Sequence, residues 1–297
     1  RSDKKCDHFM TCTFIKRLCR RNKLSFRTMR TKKRSDIPIH EIKEFTKDCI
    51  EVFEEFAKDL IFNMDETAWN FVYKRGEVLA HRGVENVDAW LPDDFKKSFT
   101  VIATVTAVGG KLPPVFLATG KSYISIKQFE GMESEDDKYL LYHSGGGNSD
   151  DDSMKFYLDQ VKKWSNGRNC ALIMDRYSSH VSDSTTEYAA NIGIRLVFVP
   201  TSGTEIYQPL DRKVFGILKS QAASDFGDKV FDFQEGYTKP EAADLFVTLW
   251  DNLKKNNIVK AWRLVLDEIN GKSKDSNEDY LSQDESDSVK SDEEYID

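Results

Sequence analysis

Short apolar runs separated by helical patterns constrain the fold of this 297-residue chain more than any other feature. Three such runs come in succession, at 60–64, 98–108 and 112–117, and their lengths are those of buried β-strands. Two further runs, 170–174 and 194–199, alternate with segments whose apolar residues recur at helical spacing. Strands in succession followed by strands alternating with helices predict an α/β fold, with a mixed five-stranded sheet and helices on both faces.

The segments between the strands contain helical patterns and turn signals. Gly109-Gly110 predicts a hairpin turn between the second and third strands, and the prolines at 113 and 114 delay or expose the third strand. The polar segment 120–150 is expected to be a loop or a small insertion. Apolar residues at helical spacing predict helices at 39–60, 152–164, 185–191, from 210 onward, and at 239–254 and 256–269.

The formal net charge of -7 is an average over three different regions. Residues 1–34 contain 13 Lys or Arg against two Asp, a net charge of +11, whereas 275–297 contain ten acids and one Lys, a net charge of -9. We therefore expect a basic segment at 1–36, a folded domain at 37–270 and a disordered acidic tail at 271–297.

The basic segment predicts contact with phosphate, because each Lys or Arg that displaces a condensed counterion adds affinity for nucleic acid. The alternatives, a solvated helix face and a nuclear-import signal at 30–34, stay open. A short basic amphipathic helix ending near Asn22 and then a turn are expected within it. The candidate DNA-binding residues are Lys16, Arg17, Arg20, Arg21, Lys23, Arg27, Arg30, Lys32, Lys33 and Arg34.

Several classes of protein are excluded or disfavoured by the same sequence. No run of about 18 apolar residues is present, so a transmembrane helix is excluded, and the polar residues after Arg1 exclude a signal peptide there. The chain begins without Met, from which we expect a piece of a longer reading frame. Five cysteines predict reduced thiols, and the spacing of Cys6, Cys12 and Cys19 near His8 disfavours a structural zinc site.

Three aspartates occupy positions where the predicted architecture would bring them together. Asp65 follows the first strand, Asp175 ends the fourth, and Asp211 begins the helix after the fifth. Strand ends and the adjoining helix starts share one edge of an open α/β sheet, where such sheets build their sites. Converging carboxylates repel one another unless a divalent cation lies between them. The pattern therefore predicts a phosphoryl-transfer site whose aspartates hold two Mg²⁺ or Mn²⁺ ions about 4 Å apart.

At these residues the sequence resembles the catalytic domain of the pogo-like branch of the mariner superfamily of DDE transposases, which is ribonuclease-H-like. Upstream, Phe14–Arg27 resembles the end of a helix-turn-helix domain of the centromere-protein-B type. The resemblance covers roughly residues 10–225. Three motifs carry it in order along the chain: Asn63-Met-Asp-Glu-Thr67, Asp175-Arg-Tyr-Ser-Ser-His180 and Gln208-Pro-Leu-Asp211.

The resemblance implies a DNA transposase that hydrolyses a phosphodiester at the ends of a transposable element and joins the freed 3′-hydroxyl to target DNA. Its catalytic metal ligands would be Asp65, Asp175 and Asp211, with His180 and Arg176 as auxiliary residues. Arg176 replaces the small polar residue that is usual in the family at this position. The implied partner is double-stranded DNA, both terminal repeats and target, in the nucleus and without a membrane; a homodimer is left open.

A second hypothesis from another class is a domesticated, catalytically silent DNA-binding protein derived from a transposase. At the site itself four assignments compete. Glu66 should point to the opposite side of its strand from Asp65, and Glu205 could replace Asp211 as a ligand. His180 could equally bond within its own turn, and Gln208 is interpreted as a loop-to-backbone hydrogen bonder.

Overall fold

The elements of the fold come from a computed structural model, which describes residues 12–22, 24–28, 37–70, 77–81, 98–119, 138–144, 151–175, 182–231 and 237–271. The strands in these residues are β1 (Leu24–Thr28), β2 (Ile61–Asn70), β3 (Glu77–His81), β4 (Ser98–Thr106), β5 (Val115–Thr119), β6 (Leu140–Ser144), β7 (Cys170–Asp175) and β8 (Ile194–Val199). The helices are α1 (Cys12–Arg21), α2 (Ile39–Glu55), α3 (Asp151–Trp164), α4 (Asp183–Asn191), α5 (Thr204–Tyr207), α6 (Phe215–Phe231), α7 (Lys239–Asn252) and α8 (Lys255–Ile269).

The main sheet is mixed, as predicted, and has the strand order β6-β5-β4-β2-β7-β8. β2 pairs antiparallel with β4 and parallel with β7, and β8 continues the parallel half. The predicted α/β class is therefore confirmed, but the sheet has six strands and not five. The additional strand is β6, which pairs parallel with β5 inside the segment predicted as a loop. Its short apolar run, Tyr139–Tyr142, was obscured by the polar residues around it.

The first strand of the sheet is longer than the sequence predicted. β2 was expected to stop before Asp65, yet its pairing with β4 runs without interruption from Phe62↔Thr106 to Asn70↔Ser98. Antiparallel hydrogen bonds thus hold polar residues of β2 in the strand beyond its apolar run. Asp65 consequently lies within a strand, and pairing with β4 fixes the backbone before and after it.

Helices cover both faces of the sheet, and the alternation of side chains along β2 separates two cores. The odd-numbered residues, such as Ile61 and Trp69, face the core formed with α2, α6, α7 and α8. The even-numbered residues, such as Phe62 and Met64, face the core formed with α3 and α4. Any polar residue at an odd position of β2 therefore lies under the C-terminal helices.

Local predictions agree with the structure at most places. The Gly109-Gly110 turn forms, with a hydrogen bond of 2.9 Å from Gly109 N to Thr106 O, and β5 begins only after the two prolines. After the helix ending near Asn22 only a turn was predicted, whereas residues 24–28 form β1, which pairs antiparallel with β3 in a separate two-stranded sheet. None of the helices in the described ranges has the length and apolar character needed to cross a membrane.

Candidate active site

The parallel pairing of β2 with β7 ends at the point where two of the predicted aspartates follow. The last paired residues are Asn63 and Ile173. Asp65 and Asp175 each lie two residues further along, so they stand at the same level of the two strands. Since side chains alternate, both point to the face of the sheet that Asn63 and Ile173 share. The two carboxylates therefore lie on the same face of the sheet, just beyond the last pair of the two strands.

One carboxylate oxygen of Asp65 accepts a hydrogen bond, and the other is buried and accepts none. Oδ1 accepts a hydrogen bond of 2.9 Å from the backbone N–H of Glu66. Oδ2 is buried and has no hydrogen-bond partner. Burial raises the pKa of the Asp65 carboxyl well above its usual range, and the neighbouring carboxylates of Asp211 and Asp175 raise it further.

Asp211 comes to Asp65 from the helical side of the fold. It lies in a π-helical turn, Leu210–Val214, that leads into α6. Its side chain reaches solvent, but the packed residues around it remove part of its hydration, which raises the pKa of the Asp211 carboxyl. The charge of Asp211 raises the pKa of the Asp65 carboxyl, so the two carboxyl groups lie close together.

A lysine also lies near the acidic pair. Lys219, on α6, is half-buried with its ammonium 5.7 Å from the centroid of the Phe215 ring. Burial lowers the pKa of Lys219, while the charges of Asp211 and Asp65 act in the opposite direction. The positive charge of Lys219 in turn partly offsets the raised pKa of Asp211. Among the described residues, Lys219 thus adds a positive charge beside the carboxylates.

Asn63 connects the segments that carry the three aspartates. Its Nδ2 donates hydrogen bonds of 3.1 Å to Ile173 O and 3.0 Å to Gln208 Oε1. Its Oδ1 accepts a hydrogen bond of 3.3 Å from the backbone N–H of Leu210. Gln208 was predicted to bond to the loop backbone; its side-chain oxygen instead accepts from Asn63, a correction that follows from the contact between β2 and this loop. Asn63 and Gln208 are both fully buried.

A second set of contacts fixes the Asp211 turn from outside. Arg212 Nη1 donates a hydrogen bond of 2.6 Å to Ile206 O, and the guanidinium lies 3.4 Å from Glu268 Oε2 in α8. Both side chains of this ion pair are largely buried, at 19% and 26% exposure. The last helix therefore supports the turn that carries Asp211.

The donors at this site suit a divalent cation of the magnesium type. Carboxylate oxygens are the ligands that Mg²⁺ and Mn²⁺ prefer, and Oδ2 of Asp65 is a buried oxygen without a donor. The charges of Asp211 and Asp175 both raise the pKa of Asp65, and that of Asp211 does so more strongly. Within the described ranges no three His, Cys, Asp or Glu side chains are gathered closely enough to hold a metal. The aspartates thus offer the kind of ligand that Mg²⁺ prefers, although the structure does not bring three of them close together.

The competing ligands lie in different positions. Glu66 is on the face of β2 opposite to Asp65, as its neighbours Phe62 and Met64 in the other core indicate. Glu205 is an exposed residue of α5 whose charge adds to the raised pKa of Asp211. The charge of Asp211 raises the pKa of Asp65, whereas that of Glu205 acts on Asp211, which favours Asp211 over Glu205 as the third carboxylate.

The remaining candidate residues are only partly described. Arg17, Arg20 and Arg21 are exposed on α1. The backbones of Lys16 and Arg27 lie in α1 and β1. The following candidates lie outside the described residues: Lys23, Arg30, Lys32, Lys33, Arg34, Arg176 and His180.

Sequence reasoning missed two side chains that belong to the site. Asn63 was treated as part of a motif, although its position two residues before Asp65 places it on the same face of the strand. Lys219 lies eight residues after Asp211, about two helical turns, which is the available signal for it. Neither position could be recognised as part of the site from sequence alone, because that requires knowing that the loop before Asp211 lies against β2.

The fold, a mixed sheet with helices on both faces, is of the ribonuclease-H-like α/β class. A family model described as DDE superfamily endonuclease matches residues 96–269, more than half of the chain. The chain therefore belongs to the DDE superfamily of endonucleases. The matched region includes Asp175 and Asp211 and begins after Asp65. A comparison with curated proteins finds no match.

Solved structures of the Mos1 transposase share this fold. The Mos1 mariner paired end complex with Mn aligns with a TM-score of 0.57 at 9% identity, covering 87% of this chain and 68% of that chain. The Mos1 strand transfer complex aligns with a TM-score of 0.56 at 10% identity, with the same coverage. The Mos1 paired end complex with Mg gives 0.55 at 9% identity, covering 88% and 71%. At such identities the likeness establishes the fold.

Proposed function

We propose that this chain is a metal-dependent DNA endonuclease of the transposase type. The observation that carries the proposal is the position of Asp65 and Asp175 at the same level of neighbouring strands, with Asp211 nearby and one buried oxygen of Asp65 that accepts no hydrogen bond. Membership of the DDE superfamily of endonucleases supports it. The similar Mos1 structures are complexes of transposon ends, two of them with Mn or Mg, which supports DNA and a divalent cation as ligands.

The proposed chemistry is phosphodiester hydrolysis at the ends of a transposable element, followed by strand transfer to target DNA. Two bound Mg²⁺ or Mn²⁺ ions would supply the Lewis acid that activates the attacking oxygen and stabilises the leaving oxygen. Asp65, fixed through Oδ1, keeps Oδ2 for metal binding, and Asp175 and Asp211 complete the ligands. Lys219 provides a positive charge on the same side for a DNA phosphate.

Finer assignments belong to the same proposal. The three motifs support placing the chain in the pogo-like branch, and the exposed Arg17, Arg20 and Arg21 of α1 support a DNA-binding segment of the centromere-protein-B type at 1–36. The catalytic domain would occupy 37–270. Binding of terminal repeats and target DNA implies a nuclear location, and the paired-end arrangement of the Mos1 complexes supports a homodimer.

Metal-dependent nicking of supercoiled plasmid tests the proposal. We expect the wild-type chain to convert supercoiled plasmid to nicked circles in Mg²⁺ or Mn²⁺ and to stop when EDTA is added. Asp175→Asn should lower the rate by about 10³-fold, because loss of a ligand removes several kcal/mol of metal stabilisation of the transition state. Initial rates are measured by gel electrophoresis at equal protein concentration.

The control is Asp244→Asn, which makes the same change of charge at an exposed residue of α7 outside the site. It should nick at the wild-type rate. Equal activity of the Asp175→Asn variant would contradict the proposed site. Absence of nicking in both proteins, together with DNA binding, would favour the second hypothesis of a catalytically silent DNA-binding protein.

A further inference from the structure

One buried side chain, Asn63, bonds to every segment that carries a proposed metal ligand. We infer that Asn63, together with Gln208, is a positioning residue that sets the mutual placement of the three carboxylates and thereby the affinity for the divalent cation. This inference rests on the proposed function. Its evidence is a set of hydrogen bonds around the point where β2 and β7 separate.

Each bond of Asn63 lies within three residues of an aspartate. Asn63 itself precedes Asp65 by two residues on the same strand face. Its bond to Ile173 O ends two residues before Asp175, and its bond from Leu210 N ends one residue before Asp211. The bond to Gln208 Oε1 adds a second contact to that loop. A displacement of Asn63 would thus reach all three ligands.

The bonds of Asn63 replace backbone pairing at a place where the sheet cannot continue. Beyond Ile173 no further pairs join β7 to β2 in the described residues, and the loop before Asp211 belongs to neither strand. The side-chain amide supplies both a donor and an acceptor there. Since Asn63 and Gln208 are fully buried, a lost bond would leave polar groups without water, which holds the arrangement in place.

Asn63 acts through other residues and not on the substrate. Both of its amide hydrogens are donated within the protein, to Ile173 O and Gln208 Oε1, and its carbonyl oxygen accepts from Leu210 N. Residues that orient metal ligands in this way change metal affinity or activity by about 10- to 100-fold when they are removed. Asn63 therefore has the features of a ligand-orienting residue.

Binding of Mn²⁺ to the purified full chain, measured by electron paramagnetic resonance without DNA, tests this role. We expect Asn63→Ala to weaken Mn²⁺ binding by about 10- to 100-fold. Gln208→Met keeps the volume and the other two bonds of Asn63, so a smaller loss of about 3- to 10-fold is expected, at the low end of the same range. The double variant should bind like Asn63→Ala alone, because both changes break the same contact.

The matched control is Tyr157→Phe, which removes a buried 2.7 Å hydrogen bond to Thr104 in the core on the opposite face of the sheet. It should lose stability but keep Mn²⁺ affinity within about twofold, since sites without shared partners behave independently. All variants are measured at a temperature at which circular dichroism shows them folded. If Asn63→Ala does not fold, Gln208→Met decides the question. Wild-type affinity in the folded Asn63 variant would overturn the inference.

Hydrogen–deuterium exchange of the metal-free protein separates failure of this inference from failure of the proposed function. Asn63→Ala should increase exchange in peptides covering 204–214, and Tyr157→Phe should not. If the wild-type chain binds no Mn²⁺, the proposed function is wrong, and the exchange result alone decides whether Asn63 holds the loop. Unchanged exchange at 204–214 in the Asn63 variant would overturn the inference in either case.

Discussion

Replacing Asp65 by Asn is expected to stabilise the metal-free protein while abolishing its nuclease activity. Asparagine keeps the oxygen that accepts from Glu66 N–H, and its Nδ2 gives Asp211 a donor where wild-type Asp65 presents a second carboxyl group. Relief of such strain at a functional site typically adds about 1 kcal/mol to the free energy of unfolding. The loss of a charged ligand should lower plasmid nicking by about 10³-fold.

The stability difference between the Asp65→Asn variant and the wild type should increase with pH. An acid whose pKa is raised in the folded protein binds its proton more tightly there than in the unfolded chain. Stability is therefore lost as pH rises from about 4, the usual pKa of Asp, through the raised pKa of Asp65. The Asn variant lacks this contribution. Thermal unfolding in EDTA at several pH values measures the difference.

Added Mg²⁺ should reverse the order of stability. A ligand that binds only the folded state raises the melting temperature, so the wild-type chain should gain stability and the Asp65→Asn variant should not. A variant that is less stable than the wild type in EDTA at neutral pH would show that Asp65 is not strained. An equal response of the two proteins to Mg²⁺ would show that Asp65 is not a ligand.

Trp69→Ala is expected to cost about 3–5 kcal/mol of the free energy of unfolding, the range measured for truncated core aromatic residues. Trp69 is fully buried on β2, and its ring packs edge-on against Phe246 of α7 at 4.8 Å between centroids. Its Nε1 also donates a hydrogen bond of 2.8 Å to Ala242 O. Urea unfolding followed by circular dichroism measures the loss.

Trp69→Phe is the control for this prediction. It keeps an aromatic ring in the core but removes the hydrogen bond to Ala242. The free energy of unfolding should therefore fall by about 1 kcal/mol for the hydrogen bond, with a further loss for the smaller ring. A loss below about 1 kcal/mol for Trp69→Ala would mean that α7 is not packed on β2, because a filled core position cannot be emptied so cheaply.

Much of the fold could be predicted because its strands are short and continuous in apolar character. β7 and β8 were predicted nearly to the residue, since each is a continuous apolar run that ends at a clear signal, Asp175 and Pro200. β6 and the second half of β2 could not be predicted, because their polar residues are held in strands by pairing with neighbours distant in sequence. The pattern of apolar residues within a short segment does not show which distant strand will pair with it.

The sequence indicated the three aspartates of the proposed site but not Asn63 or Lys219. Asp65, Asp175 and Asp211 stand out because buried or strand-end carboxylates are unusual and demand a counter-charge. The side chain of Asn63 has no such signature, and its importance comes from a loop that is 145 residues away in sequence at Gln208. The assignment of metal ligands to these aspartates stays a prediction until metal binding is measured.

The ion pair between Arg212 and Glu268 has a consequence for biosynthesis. The turn that carries Asp211 is supported by a residue at the end of α8, more than fifty positions later in the chain. A nascent chain still lacking α8 would contain β2 and β7, which carry Asp65 and Asp175. The turn that carries Asp211 would then lack its support. Because chains fold from the N-terminus as they leave the ribosome, we expect the complete arrangement of acids only after α8 has emerged. The proposed site would thus be complete only after synthesis has passed residue 268.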